Sequence, residues 1–428
     1  MYANVKNKKN MTINDENISD KDKEALEHFL AGKERWNEYV RSHSETVCFH
    51  GVNFSEYLSF FDFNGYTFPS GGIEFTSASF SKDDDFGDKA VYFSDVDFGD
   101  GKVLFNGTSF GDNGVNFTRA VFGAGDVCFS GANFGGRDVD FENVNFGDRL
   151  VSFGKATFGK NEDKCRLSFN KSIFGEGDVS FKNVKFYADE VSFEYCEFKG
   201  HVLFQSLTDQ KTLSKFSLRH SSFDKSLDIS DNTFNCIPDL TNTKLTNQVS
   251  LDRMEISDNY PPKGDFDKSD GERLCRLKEL AEANKNHQQA LDFHVIEMRA
   301  KRYNTKLIKG KTPHMWLDIL FDIACLYGQS IIRPVLSLIV LTIVCAFIYA
   351  YKSSLDYFPF CYGLLYSLSQ VFSFVPTGRS TTIAILDKLF PCETIIPNGV
   401  YFLSLFQGVL SFVLVFLIGL GFRNRFRL

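Results

Sequence analysis

Between residues 61 and 204, Phe recurs at alternating spacings of five and seven. The series runs Phe93, Phe98, Phe105, Phe110, Phe117, Phe122, Phe129, Phe134, Phe141, Phe146, Phe153, Phe158, and resumes at Phe169, Phe174, Phe181, Phe186, Phe193 and Phe198. A fixed twelve-residue period constrains the chain to a solenoid. In extended backbone, each Phe points the same way as the residue two before it. Those positions hold Val91, Val96, Val103, Thr108, Val115, Ala120, Val127, Ala132, Val139 and Val144, all small or β-branched. Each short strand therefore buries one large and one smaller side chain. Gly99, Gly111, Gly123, Gly135 and Gly147 follow the second Phe of a pair, where a positive φ lets the chain turn a corner.

Ala120-Val121-Phe122 and Ala132-Asn133-Phe134 fit the A(D/N)LXX unit, and here the chain resembles the pentapeptide-repeat family. It departs by inserting two residues after every second unit, so the period is twelve rather than ten. The resemblance implies a right-handed quadrilateral β-helix with inward Phe ladders. Two units per coil give about six coils in this part, each about 4.8 Å high. The intervals Phe80 to Phe93 and Phe158 to Phe169 are too long for the period. They read as corner loops, the second containing Lys160 to Lys164, and as places for a specific contact. From residue 218 the period becomes eleven, seen in Leu218/Phe223, Ile229/Phe234, Leu240/Leu245 and Leu251/Ile256. The solenoid is predicted over 48–258.

The flanks read as three further parts. In 1–47, a polar disordered tail precedes a cap helix from Ser19 or Asp20 to about Arg41. Its apolar side is Leu26, Phe29, Leu30, Trp36 and Val40, suited to cover the open end of a solenoid. Pro261 and Pro262 stop ladder pairing. Within 259–312, Glu272 to Ala283 and Gln288 to Tyr303 then form an αα-hairpin that resembles one tetratricopeptide unit, a spacer. His287 and His294 there read as surface or packing residues, not metal ligands.

Residues 313–428 read as a membrane domain. An interfacial helix over 313–334 carries Trp316, Leu317, Leu320, Phe321 and Leu326. Uncharged runs predict spans at about 334–351 and 399–422. Between them, 357–378 is apolar and aromatic and reads as a re-entrant segment. Basic residues cluster before the first span (Arg299, Lys301, Arg302, Lys306, Lys309, Lys311, Arg333) and after the last (Arg423, Arg425, Arg427). The loop between has Lys352, Arg379 and Lys388. Positive-inside asymmetry puts the solenoid and both termini in the cytoplasm and requires an even number of spans. The polar start reads as lacking a secretory signal. Ten scattered Cys read mostly as free thiols in a reducing compartment. Cys361 and Cys392 fall in the predicted external loop, where a disulfide between them is expected.

Three patches sharpen the family resemblance. Phe29-Leu30-Ala31-Gly32-Lys33-Glu34-Arg35-Trp36-Asn37, Tyr327-Gly328-Gln329-Ser330-Ile331-Ile332-Arg333-Pro334 and Arg423-Asn424-Arg425-Phe426 resemble patches of bacterial membrane-anchored pentapeptide-repeat proteins. That resemblance implies the bacterial inner (cytoplasmic) membrane and carries no reaction. Span, half-dip, span is also the plan of two-helix cation channels, with Leu364 to Phe372 where a pore helix would stand. In place of the TVGYG of a potassium filter, this chain has Phe374-Val375-Pro376-Thr377-Gly378.

Over residues 51–210 there are 25 Asp+Glu and 14 Lys+Arg, so 25 − 14 gives a net of −11. This acidic surface favours a protein partner and gives no reason to expect nucleic acid. The Gly-Asp corners Gly123 to Asp126 and Gly175 to Asp178 lack the nine-residue period of calcium-binding solenoids. No phosphate loop, metalloprotease motif or nucleophile elbow stands in a suitable context. The expected function is a non-enzymatic, membrane-anchored scaffold with no catalytic residue, cofactor or metal, whose rigid acidic solenoid binds a protein. The alternative is a homo-oligomeric pore bearing a cytoplasmic solenoid. A third class, DNA mimicry, is suggested by soluble proteins of similar fold and opposed by the membrane anchor.

Overall fold

The computed structural model describes residues 18–426, apart from 82–89, 113, 161–164, 209–212, 258–259, 262–265, 310–312, 354, 356–358, 372–375 and 392–396. The expected disordered tail, most of both long corner loops and the start of the filter-like stretch lie outside the described residues. The chain divides into two compact units, Met1–Asn286 and His287–Leu428.

The first unit is a parallel β-solenoid. Val103, Val127 and Val151 pair in one ladder, each 24 residues from the next, so one coil is two twelve-residue units. Toward the C-terminal end the step shortens to 22, as in Leu227 with Val249 and Thr233 with Glu255. The longest sheet stacks nine strands, which makes about eight turns. A turn contributes to four ladders: Val127 pairs Val151, Asn133 bridges Thr157, Val139 pairs Leu167, and Asn145 bridges Ile173.

The core follows from that register. Phe98, Phe122, Phe146, Phe174, Phe198 and Phe223 stack ring on ring, with centroids 4.5 to 5.4 Å apart. Neighbouring columns meet edge-on, as where Phe105 meets Phe117 at 5.8 Å and 85°. Offset stacking within a column and T-shaped contact between columns are the two arrangements aromatic quadrupoles favour.

Some of the smaller inward positions are polar. Thr108 donates to Phe75 O at 2.7 Å, Ser172 to Phe141 O at 2.6 Å and Ser221 to Phe193 O at 2.5 Å. Ser172 also accepts from Val144 N, and Ser221 from Cys196 N. These buried hydroxyls join one coil to the next and are themselves paired within the core.

Two kinds of corner turn the chain. Two residues after the first Phe of a pair, φ is positive although the residue is often not Gly, as at Asp95, Arg119, Asn143 and Lys171. The turn is closed by bonds such as Ala120 N to Phe117 O at 2.9 Å. The second corner is the Gly after the second Phe, where φ is positive at Gly99, Gly111, Gly135 and Gly147 but, against the sequence expectation, not at Gly123. At Gly147 φ is +71°, and a Cβ would sit 1.8 Å from Gly123 O in the coil below. Stacked backbone thus excludes a side chain there as firmly as the dihedral does.

Two helices close the N-terminal end: α1 (Asp20–Leu30) and α2 (Lys33–Ser42). The sequence predicts one continuous helix here; Gly32, at φ 107°, breaks it. Ser19 caps α1 by accepting from Asp22 N. Phe29 lies within 5.0 to 5.8 Å of the rings of Phe49, Phe54 and Phe63, and Trp36 donates to Thr67 O at 2.8 Å. Beyond the last coils, α3 (Asp270–Ala283) is tied back by Arg273 to Asp239 and by Asn284 to Val249 O.

The second unit is helical: α4 (His287–Lys309), α5 (Pro313–Cys325), α6 (Ile332–Tyr351), α7 (Phe360–Val371), α8 (Pro376–Leu389) and α9 (Asn398–Arg425). α6 and α9 are long and apolar enough to cross a membrane. The twelve residues of α7 extend about 18 Å, too short to cross a hydrocarbon core of about 30 Å. α7 packs on both long helices.

Candidate functional site

In the solenoid unit, the twelve Phe from Phe93 to Phe158 are all buried, so the reactive or recognising groups must be sought outside. The positive-φ corners stack into outward columns. Arg119 donates from Nε and Nη2 to the two carboxylate oxygens of Asp95, one coil below, at 2.6 and 2.7 Å. That pairing holds the exposed Asp95 carboxyl below its usual value. Higher in the same column, Tyr195 stacks on His220 at 4.8 Å. Arg166 pairs with Asp138, Lys215 with Glu194 and Arg253 with Asp231, again across coils. Lys160, at the edge of the second corner loop, pairs with Asp112. Some of the acids counted from sequence are therefore matched by a base on another coil.

In the helical unit, polar groups meet at the junction of α4, α5, α6 and α9. Asp322 on α5 accepts from Arg299 at 2.8 and 3.1 Å and from Arg302 at 2.9 Å. Burial alone would raise the Asp322 carboxyl; the hydrogen bonds from Arg299 and Arg302 outweigh it and hold the group below its usual value. Arg302 also reaches the hydroxyl of Tyr327 at 3.1 Å. Burial pushes that hydroxyl up to about 12. Tyr327 sits in a turn of three consecutive positive-φ residues, Leu326, Tyr327 and Gly328. Two of the three have side chains, so the conformation costs energy that its surroundings must supply. The holding bonds are visible: Gly328 N to Cys325 O at 3.0 Å, Ser330 N to Cys325 O at 3.0 Å, and Asn424 Nδ2 to Gly328 O at 3.1 Å. The turn thereby brings together two patches that lie 96 residues apart in sequence.

A second polar cluster lies between α6, α7 and α9. Gln407 donates to Ser367 O at 3.0 Å and Ser367 Oγ at 2.7 Å, and accepts from Tyr349 Oη at 3.0 Å. Ser367 in turn donates to Thr342 O at 2.7 Å. Gln407, Ser367 and Tyr349 are fully buried. At Gly363, a Cβ would stand 2.5 Å from Ala346 O, so α7 and α6 approach backbone to backbone. Neither cluster was found by sequence reasoning. An Arg-x-x-Arg pair on α4 and an Asp on α5 were the available signal for the first; an uncharged Gln inside an apolar run was the signal for the second.

Cys361, at the start of α7, is exposed. Cys392, its expected disulfide partner, lies outside the described residues, as do Phe374 and Val375. His294 hydrogen-bonds Glu297 at 3.3 Å. Among the described residues, no group of three or more His, Cys, Asp or Glu is arranged to hold a metal ion. Comparison with protein-family models, with curated proteins and with solved structures returned no match.

Proposed function

We propose that this protein is a non-enzymatic, membrane-anchored scaffold of the pentapeptide-repeat kind, coiled right-handed with a quadrilateral section. The observation that carries the proposal is the pairing, in one chain, of a β-solenoid whose Phe ladders from Phe93 to Phe158 are buried with two helices fit to cross a bilayer. A solenoid spent on its own core offers function only through its outward rows, and a repeat surface of this kind suits protein recognition. The four ladders per turn support the quadrilateral section. The asymmetry of basic residues supports a bacterial cytoplasmic membrane with the solenoid and both termini inside. The partner is a protein that reads the charged corner columns, including the Asp95–Arg119 row. Proximity labelling in intact bacterial cells, with the label fused to the N-terminus, tests this. A reproducible protein partner lost on Arg119→Glu supports it; no partner above a membrane-protein control overturns it.

A second reading has one specific observation behind it. The short α7 packs on both long helices, as a half-dipping segment of a two-helix pore would. Under that reading the chain is a homo-oligomer around a shared axis, without a potassium-type filter. Bilayer recordings of purified protein under several ion gradients decide it: unitary currents favour the pore, and silence removes it.

A further inference from the structure

α5 has two unlike sides. Its carboxylates, Asp318 and Asp322, are committed to α4: Asp322 to Arg299 and Arg302, and Asp318 to Arg302 at 3.5 Å. The other side carries Trp316, Leu317, Leu320 and Ile323, each at least 60% exposed. At 3.6 residues per turn these four share one face, opposite the carboxylates. Four large apolar side chains contiguous on one face need a cover. The chain reaches the apolar α6 within the six residues 326–331, and α5 packs on α6. The intervening turn is fixed by Asn424 and by the Cys325 carbonyl. The uncovered face is therefore held at one end of a helix fit to span a bilayer.

We propose that this face of α5 docks into the lipid bilayer itself, at the boundary between headgroups and acyl chains, about 5–10 Å deep. This rests on the membrane reading above. Lipid is the occupant for two reasons. The face is joined by a six-residue turn to a helix fit to span a bilayer, whose Ile332 and Leu336 are likewise exposed. Its one amphipathic ring, Trp316, is the residue type that settles at that depth. The Arg299–Asp322–Arg302 cluster then serves a definite purpose. It keeps two carboxylates on the side away from lipid and holds α4 against the membrane-bound helix.

The test uses the full chain in phosphatidylcholine vesicles brominated either near the headgroup or deep in the acyl chain. Trp316→Phe isolates the signal, because the other tryptophan, Trp36, is fully buried in the solenoid cap. The fluorescence difference between the unaltered chain and Trp316→Phe should be quenched at least about twofold more by the shallow bromines than by the deep ones. Phe406→Trp, placed in the Trp316→Phe background, reports on α9. If Phe406→Trp is quenched by deep bromines while the Trp316 signal is quenched by neither, α5 faces water or another protein, and the inference is overturned with the spans intact. Stronger quenching of Trp316 by deep bromines also overturns it. If neither position is quenched, the membrane reading fails, and this inference with it.

Discussion

The ring of Phe105 lies on that of Phe129, 24 residues later, with centroids 4.9 Å apart and planes 2° from parallel. Phe129 is stacked again by Phe153 on its other face and met edge-on by Phe117 and Phe141. Phe129→Ala removes these contacts, together with those to Phe122 and Phe134, from a core without room to collapse. It should cost about 3–5 kcal/mol. Contacts in a solenoid reach only neighbouring coils, so the damage should stay local. Hydrogen exchange on the full chain should show lost protection around residues 103–106 and 151–154, with 244–256 unchanged. Uniform loss along the solenoid would contradict the local model.

That relationship was legible in the sequence because the signal is local and repeated. One coil is two copies of one unit, so a period read from Phe105 and Phe129 is also the stacking register. The shortening to 22 was visible for the same reason in Leu218 and Leu240. Where a contact is made once, no period announces it. Asn424 and Gly328 carry no mark of pairing, and the Arg299-x-x-Arg302 pair does not say which acid it meets. The break between α1 and α2 was missed because the apolar spacing continues across Gly32 while the backbone does not. The corners were half legible. Gly after the second Phe was found, but the positive-φ site at Arg119 or Lys171 hides under residue types that usually avoid it.

The glycine columns give a sharper test than the Phe ladder. Gly131 and Gly147 have nearly the same φ, +69° and +71°. A Cβ on Gly131 would meet its nearest atom at 4.0 Å, whereas one on Gly147 would meet Gly123 O at 1.8 Å. Gly131→Ala should carry the dihedral cost alone, about 1–2 kcal/mol. Gly147→Ala should add the separation of two coils, for about 2–5 kcal/mol in all. Equal losses, measured by protease resistance of the folded chain, would mean that the close approach is not a constraint.

Two carboxyls should respond to acid in opposite directions. Burial raises Asp270 above 3.8, although Tyr260, Asp267 N and Arg273 all favour its ionised form. The stability it contributes is full below 3.8 and is lost as pH rises through its raised folded value. Asp322 is lowered, so its contribution is present above 3.8 and is lost as pH falls through its lowered folded value. Acidifying from neutral toward 3.8 should therefore increase hydrogen-exchange protection of α3, after correction for intrinsic rate, and leave α4 and α5 unchanged. Below about pH 4 the α4–α5 pair should loosen. Asp270→Asn should abolish the first effect and Asp322→Asn the second.

On α9, Gln407 and Ser411 sit one turn apart and are both fully buried, yet only one is bonded. Gln407 joins Tyr349 and Ser367, while Ser411 Oγ has no hydrogen-bond partner among the described residues. A buried hydroxyl without a partner costs free energy that a methyl does not. Ser411→Ala should therefore be neutral or stabilise the helical unit. Gln407→Leu should cost about 1–2 kcal/mol, since it breaks three bonds and strands the hydroxyl of Tyr349. The damage should centre on α7, which Gln407 holds through Ser367. Thermal unfolding in detergent gives the order of the two variants, and alkylation of Cys345, buried on α6 in one cluster with Tyr366 of α7, reports whether α7 has come loose. A Ser411→Ala loss as large as that of Gln407→Leu would mean that Ser411 has a partner of its own. An unchanged Cys345 rate in Gln407→Leu would mean that the Gly363–Ala346 approach alone keeps α7 seated.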